Sequence, residues 1–221
     1  MDLPVRLDPV TLDGQLARIE PLSPDHLAGL VKDGLDAAIW RWMYAPIVTP
    51  DAMRGWLDAA LANAVAGTER PFATIERATG RVVGSTRFMS LALEHRRLEI
   101  GWTWVAPPWQ GSGINTEAKL LQLEHAFERI GCRRVEFKTD SLNERSRAAL
   151  LGIGARFEGI FRNHMIMADG RQRHSAYYSV IDSEWPAVRD RLRARVLARI
   201  AAPPGDAARP PNLPSSERTG A

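Results

Sequence analysis

The chain has 221 residues, 45% of them apolar and 25% charged, enough for one domain of ordinary size with a real core and short of two independent ones. A formal net charge of +3 is too small to argue for nucleic-acid binding, and no apolar run approaches the roughly 18 residues of a membrane span. The segment Met1 to Val10 offers no signal-peptide core, and the single cysteine, Cys132, has no intrachain partner, so a cytoplasmic protein with a packed thiol is expected.

Residues 10 to 20 read as two short strands around Asp13-Gly14. A helix starts after Ser23-Pro24 and runs to about Leu35, and Thr49-Pro50-Asp51 repeats that start signal for a second helix near 51 to 65. Between them lies the aromatic segment Trp40-Arg41-Trp42-Met43-Tyr44. Residues 72 to 77 and 81 to 91 pair across Thr79-Gly80. A third strand, 96 to 105, sets Glu99, Gly101 and Thr103 against Leu98, Ile100, Trp102 and Trp104. A helix over 114 to 130 carries the stripe Leu120, Leu123, Phe127, Ile130 and stops at Gly131. Strand 134 to 140 follows, Asn143-Glu144-Arg145-Ser146 opens a helix that ends at Gly154, and a hairpin of about 155 to 168 and 172 to 181 turns at Asp169-Gly170. The helix near 186 to 200 carries arginines at 189, 191, 193, 195 and 199, read as a solvated face, and Ala202 to Ala221 is expected to be disordered. Two helix-strand crossings among these strands predict an α/β sandwich: a mixed sheet of six or seven strands with helices on both faces.

The most informative junction is Gln110-Gly111-Ser112-Gly113-Ile114-Asn115-Thr116, where a glycine-rich turn leads from an apolar strand into a helix. First-turn N–H groups have no backbone acceptor and sit at the positive end of the helix dipole, so such a turn can cradle a phosphate. It is neither a dinucleotide fingerprint nor a Walker loop, because Asn115 and Thr116 stand where glycine or lysine would be needed.

Taken with the next sixty residues, this arrangement resembles the GCN5-related N-acetyltransferase superfamily, whose R/Q-x-x-G-x-G/A loop binds the coenzyme A pyrophosphate. The loop here reads Gln110-x-x-Gly113-x-Asn115 and departs at its last position. Glu99-Ile100-Gly101-Trp102, Asn115-Thr116-Glu117-Ala118, Lys138-Thr139-Asp140-x-x-Asn143-x-x-Ser146, Arg162-Asn163-His164 and Tyr177-Tyr178 resemble the branch that includes the bacterial ribosomal-protein N-terminal acetyltransferases. The resemblance implies a mostly antiparallel sheet and one acetyltransferase domain over 1–185, with a helix over 186–201 and a tail over 202–221. It also implies acetyl-CoA as co-substrate, no metal, and a primary-amine acceptor, either a protein N-terminus or a small molecule. Relatives commonly dimerise, so a homodimer is expected; a membrane or nucleic-acid partner is not.

The same resemblance assigns roles. Backbone N–H groups around Trp104 and Val105 (residues 103 to 106) would bind the thioester carbonyl, residues Gln110, Gly111, Ser112, Gly113, Ile114, Asn115 and Thr116 the pyrophosphate, and Asn143 and Ser146 the pantetheine arm. Glu99 is the candidate base, against an ordinary salt-bridged strand residue. The family's tyrosine acid falls at Leu150, which leaves Ser141 and Ser146 as proton donors. Trp40, Trp42, Tyr44 and His164 are candidates to line the acceptor site, against core packing for the aromatics and a solvated hairpin position for the histidine. Lys119, Arg145 and Arg147 read either as phosphate neighbours or as exposed helix charges. A non-catalytic acyl-CoA sensor and an RNA-associated protein using the arginine helix are the other classes weighed, the first because of Leu150.

Overall fold

Strands of alternating apolar residues need a partner on each edge and cover on each face. In this computed structural model, which describes residues 7–201, eight strands pair into one open sheet of order β1-β2-β3-β4-β5-β6-β8-β7, with β1 and the largely exposed β7 at its edges. They are β1 (Leu12–Asp13), β2 (Ala17–Pro21), β3 (Arg70–Glu76), β4 (Val82–Ala92), β5 (Arg97–Val105), β6 (Arg134–Asp140), β7 (Arg156–Ile166) and β8 (Gln172–Ile181). Every neighbouring pair is antiparallel except β5 and β6. The strand beyond the expected six or seven is the two-residue β1 at the edge. The tail expected to be disordered lies outside the described residues.

Three helices cover one face, here the front: α1 (Leu27–Gly34), α2 (Ala37–Trp40) and α3 (Pro50–Val65). Their start signals work locally. Asp36 accepts the Ala38 N–H at 2.8 Å, and Thr49 accepts the Ala52 N–H at 3.2 Å. Under them lies a core with Leu30, Trp40, Met53, Trp56, Leu57 and Trp104, whose three indole rings pack at centroid distances of 5.6–6.4 Å.

The back face is covered by α4 (Ile114–Glu124), α5 (Glu144–Ile153) and α6 (Trp185–Ala201). Leu98, Ile100, Val135, Phe137 and Tyr178 of the sheet pack there against Leu120 and Leu123 of α4 and Leu192 of α6. Helix α4 widens into a looser turn over His125–Ile130 and ends at Gly131, whose φ of +77° suits glycine. Trp185, Val188, Leu192 and Val196 form the buried stripe of α6, which runs antiparallel to α4: Trp185 stacks on Phe127 at one end and Arg199 reaches Ser112 at the other. The arginines of α6 are therefore not simply a solvated face. Arg189 pairs with Glu128, Arg193 with Glu124, and Arg195 donates to the Gly152 carbonyl. Among the described residues no helix is long and apolar enough to cross a membrane.

One expectation about β5 is overturned. Its faces alternate only as far as Gly101, because β5 carries an extra residue where Ser85 pairs with Trp104 but Arg87 pairs with Gly101. Trp102 absorbs the bulge at φ +49°, a strained conformation for a bulky side chain. The phase then inverts. Thr103 points to the back face with Ile100, and Trp104 joins the front core.

Candidate active site

The bulge lies beside the one parallel junction of the sheet. Strands β5 and β6 pair only at Arg97–Arg134, Leu98–Val135 and Glu99–Glu136, after which they part. From Ile100 to Val105, β5 has no strand partner on its β6 side, so its main chain borders a cleft in the sheet ahead of the loop that opens α4.

That loop is held in shape by its own side chains. Gln110 Nε2 donates to the Val105 carbonyl at 2.8 Å and Ser112 Oγ to the Trp109 carbonyl at 2.6 Å, while Gly111 and Gly113 take φ of +79° and +96°. Gly113 is required twice, since a Cβ there would also stand 2.7 Å from Arg199 Cγ and 2.9 Å from Leu16 Cδ1. The N–H groups of Gly111, Asn115 and Thr116 have no protein acceptor among the described residues. Asn115 Oδ1 is buried without a donor, and turning that amide over would set Nδ2 in its place. A set of free donors at a helix start fits a pyrophosphate. Ile114 is buried and packs with Ala17 and Val83, so only its backbone is available. Glu117, one turn on, accepts N–H groups from Gln15, Leu16 and Ala17 at 2.6–2.9 Å and thereby ties the β1–β2 hairpin to the helix start.

Across the cleft, Asn143 Oδ1 caps α5 by accepting the Ser146 N–H at 3.1 Å. Ser141 and Ser146 lie on either side of this cap, and their hydroxyls have no protein partner among the described residues. Leu150 packs toward the back core. Arg147 is not a free charge: it donates to the Ser141 carbonyl and to Tyr178 Oη, both at 3.1 Å.

At the root of the cleft, on the front face, Glu99 is 3% exposed. Burial pushes its carboxyl above the ordinary range, against the pull of Lys138, whose Nζ lies 3.6 Å away, and of Ser90, which donates at 3.2 Å. A carboxyl that holds its proton more strongly than usual, yet keeps a cation beside it, is suited to accept and release one. Further along that face Asp140 is fully buried between Arg171 at 2.8 Å and Arg173 at 4.0 Å. Lys138, Asp140 and Tyr177 belong to motifs that resemble the family, but nothing local in the sequence showed that they and these arginines lie together. Only the strand register places them together.

On the back face the Lys119 ammonium is buried as well, which removes the reading of an exposed helix charge. It donates to Thr103 Oγ1 at 2.7 Å, and to Thr86 Oγ1 and Gln122 Oε1 at 3.0 Å each, with no carboxylate among these partners. Burial brings its pKa down to about 7. The contact with Thr103 pins the bulged stretch of β5 to α4.

The acceptor-side candidates separate. Trp40 is 2% exposed and belongs to the core, its Nε1 donating to the Gly34 carbonyl at 2.8 Å, so its ring walls no open pocket. The Trp104 ring is likewise buried among Trp40 and Trp56, which leaves only its main chain for a ligand. Trp42 is partly exposed beneath the Arg171 and Arg41 guanidinium groups, and Tyr44 is half exposed. The Tyr44 main-chain carbonyl also accepts the Ala168 N–H at 3.2 Å, which joins this segment to the tip of the β7–β8 hairpin. His164 projects from a bulge in which Asn163 has φ +49°. It meets Ser175 Oγ at 3.0 Å and lies edge-on to Phe161 and Tyr177. Its pKa is lowered by partial burial and by the nearby Lys138 and Arg173 cations. Phe161, Arg162, Asn163, His164 and His174 line an open cleft of about 900 Å³.

A mixed sheet opened at a parallel junction, with a donor-rich loop and helix start at one end and a buried carboxyl at the root, defines an acyl-transfer fold. The chain belongs to the acetyltransferase (GNAT) domain family, whose family model spans residues 17–156. It is 30% identical over 105 residues to the uncharacterized N-acetyltransferase YoaA of Bacillus subtilis strain 168, a match covering 48% of this chain and 58% of that protein. A GCN5-related N-acetyltransferase from Brucella melitensis is 32% identical with a TM-score of 0.80, covering 86% of this chain and 87% of the other. Mycobacterium smegmatis RimJ, solved with CoA-disulfide, is 25% identical with a TM-score of 0.71, covering 85% and 95%. The chain thus belongs to an acetyltransferase family that uses acetyl-CoA as co-substrate.

Proposed function

We propose that the protein acetylates a primary amine by direct attack on acetyl-CoA, with the N-terminal amine of a protein or peptide as acceptor. The observation that carries this reading is the opening of β5 from β6 between the Gly111–Thr116 donors and the buried Glu99. Acetyl-CoA supplies the electrophilic thioester and a thiolate leaving group. On this reading the free N–H groups of Gly111, Asn115 and Thr116 hold the pyrophosphate, and Asn143 and Ser146 meet the pantetheine arm. The unpaired main chain of β5 around Trp104 and Val105 donates to the carbonyl oxygen as negative charge develops there. Glu99 takes the proton from the ammonium of the acceptor, directly or through water. Ser141 or Ser146 returns one to the thiolate in place of the tyrosine absent at 150. No acyl-enzyme is needed, because holding two reactants in line can supply roughly 7–11 kcal/mol of the barrier.

The open cleft of about 900 Å³ at the β7 bulge, lined by Phe161, Arg162, Asn163, His164 and His174, supports a peptidic acceptor, since it offers an extended rather than an enclosed surface. Trp42, Tyr44 and His164 would border the incoming chain. Isothermal titration with acetyl-CoA, followed by an acceptor panel of short peptides, free amino acids and polyamines, tests the reading. Micromolar binding and peptide N-terminal turnover are expected. Turnover of free amines alone would overturn the acceptor class, and the absence of coenzyme binding would overturn the coenzyme site.

A further inference from the structure

The last turn of α6 comes down on the loop of the coenzyme site. Arg199 Nε donates to the Ser112 carbonyl at 3.1 Å, and its methylenes lie against Gly113, occupying the space a side chain there would need. Helix α6 lies beyond residue 156, outside the segment matched by the family model. Its other arginines at this face are committed elsewhere. Arg189 and Arg193 neutralise Glu128 and Glu124 of the α4 region, and Arg195 caps the Gly152 carbonyl at the end of α5.

Arg199 differs from them. It meets no carboxylate among the described residues, and its two terminal amino groups have no protein partner there. A guanidinium offers five N–H donors, of which one is used. It stands beside the start of α4, where the helix dipole already concentrates positive potential and the N–H groups of Gly111, Asn115 and Thr116 are free. The carbonyl end of α6 offsets part of this charge. What remains is a fixed cation and a helix start of the same sign converging on one loop, an arrangement that an anion between them would satisfy.

We infer that Arg199 is a coenzyme-binding residue, supplied from outside the family's matched segment, that contacts a phosphate of coenzyme A. The inference rests on the proposed coenzyme site and names a phosphate, either the pyrophosphate or the 3′-phosphate. The test is calorimetric titration of the full chain and of Arg199→Gln and Arg199→Lys with coenzyme A and with 3′-dephospho-coenzyme A, with thermal melting to confirm that each variant is folded. Arg199→Gln should weaken coenzyme A binding about tenfold or more, the scale of one lost charge-assisted hydrogen bond, and Arg199→Lys should recover part of it. An equal loss with both ligands assigns the pyrophosphate, and a loss confined to coenzyme A assigns the 3′-phosphate. If the wild type binds and Arg199→Gln binds both ligands as tightly, Arg199 only ties α6 to the loop and the inference fails. It also fails if Arg199→Gln is unfolded and the folded Arg199→Lys binds both ligands with wild-type affinity and salt dependence. If the wild type itself binds neither ligand, the coenzyme site falls, and the inference with it.

Discussion

The two faces of β5 handle buried charge in opposite ways. On the back, Lys119 stands without an acid partner, satisfied by two threonine hydroxyls and the Gln122 amide oxygen, although the Gln122 Nε2 beside it is buried without an acceptor. On the front, Glu99 and Lys138 remain 3.6 Å apart with Ser90 alongside, at the edge of an opening in the sheet. Both groups are shifted toward neutrality by burial. The difference lies in access. A charge sealed among neutral donors and acceptors fixes geometry, whereas a charge at the root of a cleft can exchange a proton with something that enters it. The bulge at Trp102 lets one strand do both, because it sends Thr103 backward to Lys119 while Glu99 stays in front.

The largest effect that would break this contrast is removal of the packing under the front face. Trp40→Ala should cost about 3–5 kcal/mol of unfolding free energy, measured in urea, because it opens a void between Trp56 and Trp104. A loss below about 1 kcal/mol would return Trp40 to the acceptor site. Next comes Glu99→Gln, expected to lower kcat/KM by about a hundredfold or more, close to 3 kcal/mol, with coenzyme affinity unchanged by calorimetry. In the wild type the acid limb of the pH–rate profile should lie above 4.5, since the raised pKa keeps the carboxyl protonated to higher pH. A variant with a normal rate at every pH would remove Glu99 as the base.

Lys119→Met sharpens the back-face side of the comparison. Because the folded pKa falls from 10.5 to about 7, the unfolded chain keeps this proton over a range in which the folded chain has lost it. Wild-type stability should therefore climb as pH rises from about 7 toward 10.5, and the cost of burying the ammonium is greatest below that window. The methionine variant should be more stable than wild type at pH 6, by roughly 1–3 kcal/mol, and the gap should close by about pH 10. A gap independent of pH would show that Lys119 titrates in the native state as it does in water. A change of comparable size is Gly113→Val, where the positive φ alone costs about 1–3 kcal/mol and the displaced Arg199 and Leu16 side chains add to it. Weaker coenzyme binding together with a lower Tm is expected, and unchanged affinity would take the Gly113 turn out of the phosphate cradle.

Much of the fold was legible because its signals are local. Thr49-Pro50, Gly131 and Asp169-Gly170 act within four residues of themselves, and each lies at the start or end of an element or in its turn, whereas the short helix capped by Asp36 was not read. The glycine loop could be read for the same reason. What escaped depends on distant chain. Period-two alternation predicted the faces of β5 and failed at the bulge, whose cause is pairing with β4. Lys119 looked like any surface lysine on a helix, since nothing within one turn reveals that Thr86 and Thr103 of the sheet lie against it. Trp40 and Trp42 are two residues apart and similar in sequence, yet one is core and the other borders the cleft, a division set by where α2 ends against Trp104. Arg171 and Arg173 acquire meaning only through Asp140, some thirty residues away on another strand.

The packed state of the single cysteine has a practical consequence. Cys132 is 3% exposed, and burial lifts its thiol pKa to about 11. At pH 8 only about one molecule in a thousand carries the thiolate that disulfide reagents attack. A colorimetric thiol assay run on the native enzyme will therefore register released coenzyme A against an almost silent protein background. The same reagent, added without substrate, becomes a clock for the opening of the β5–β6 end of the sheet.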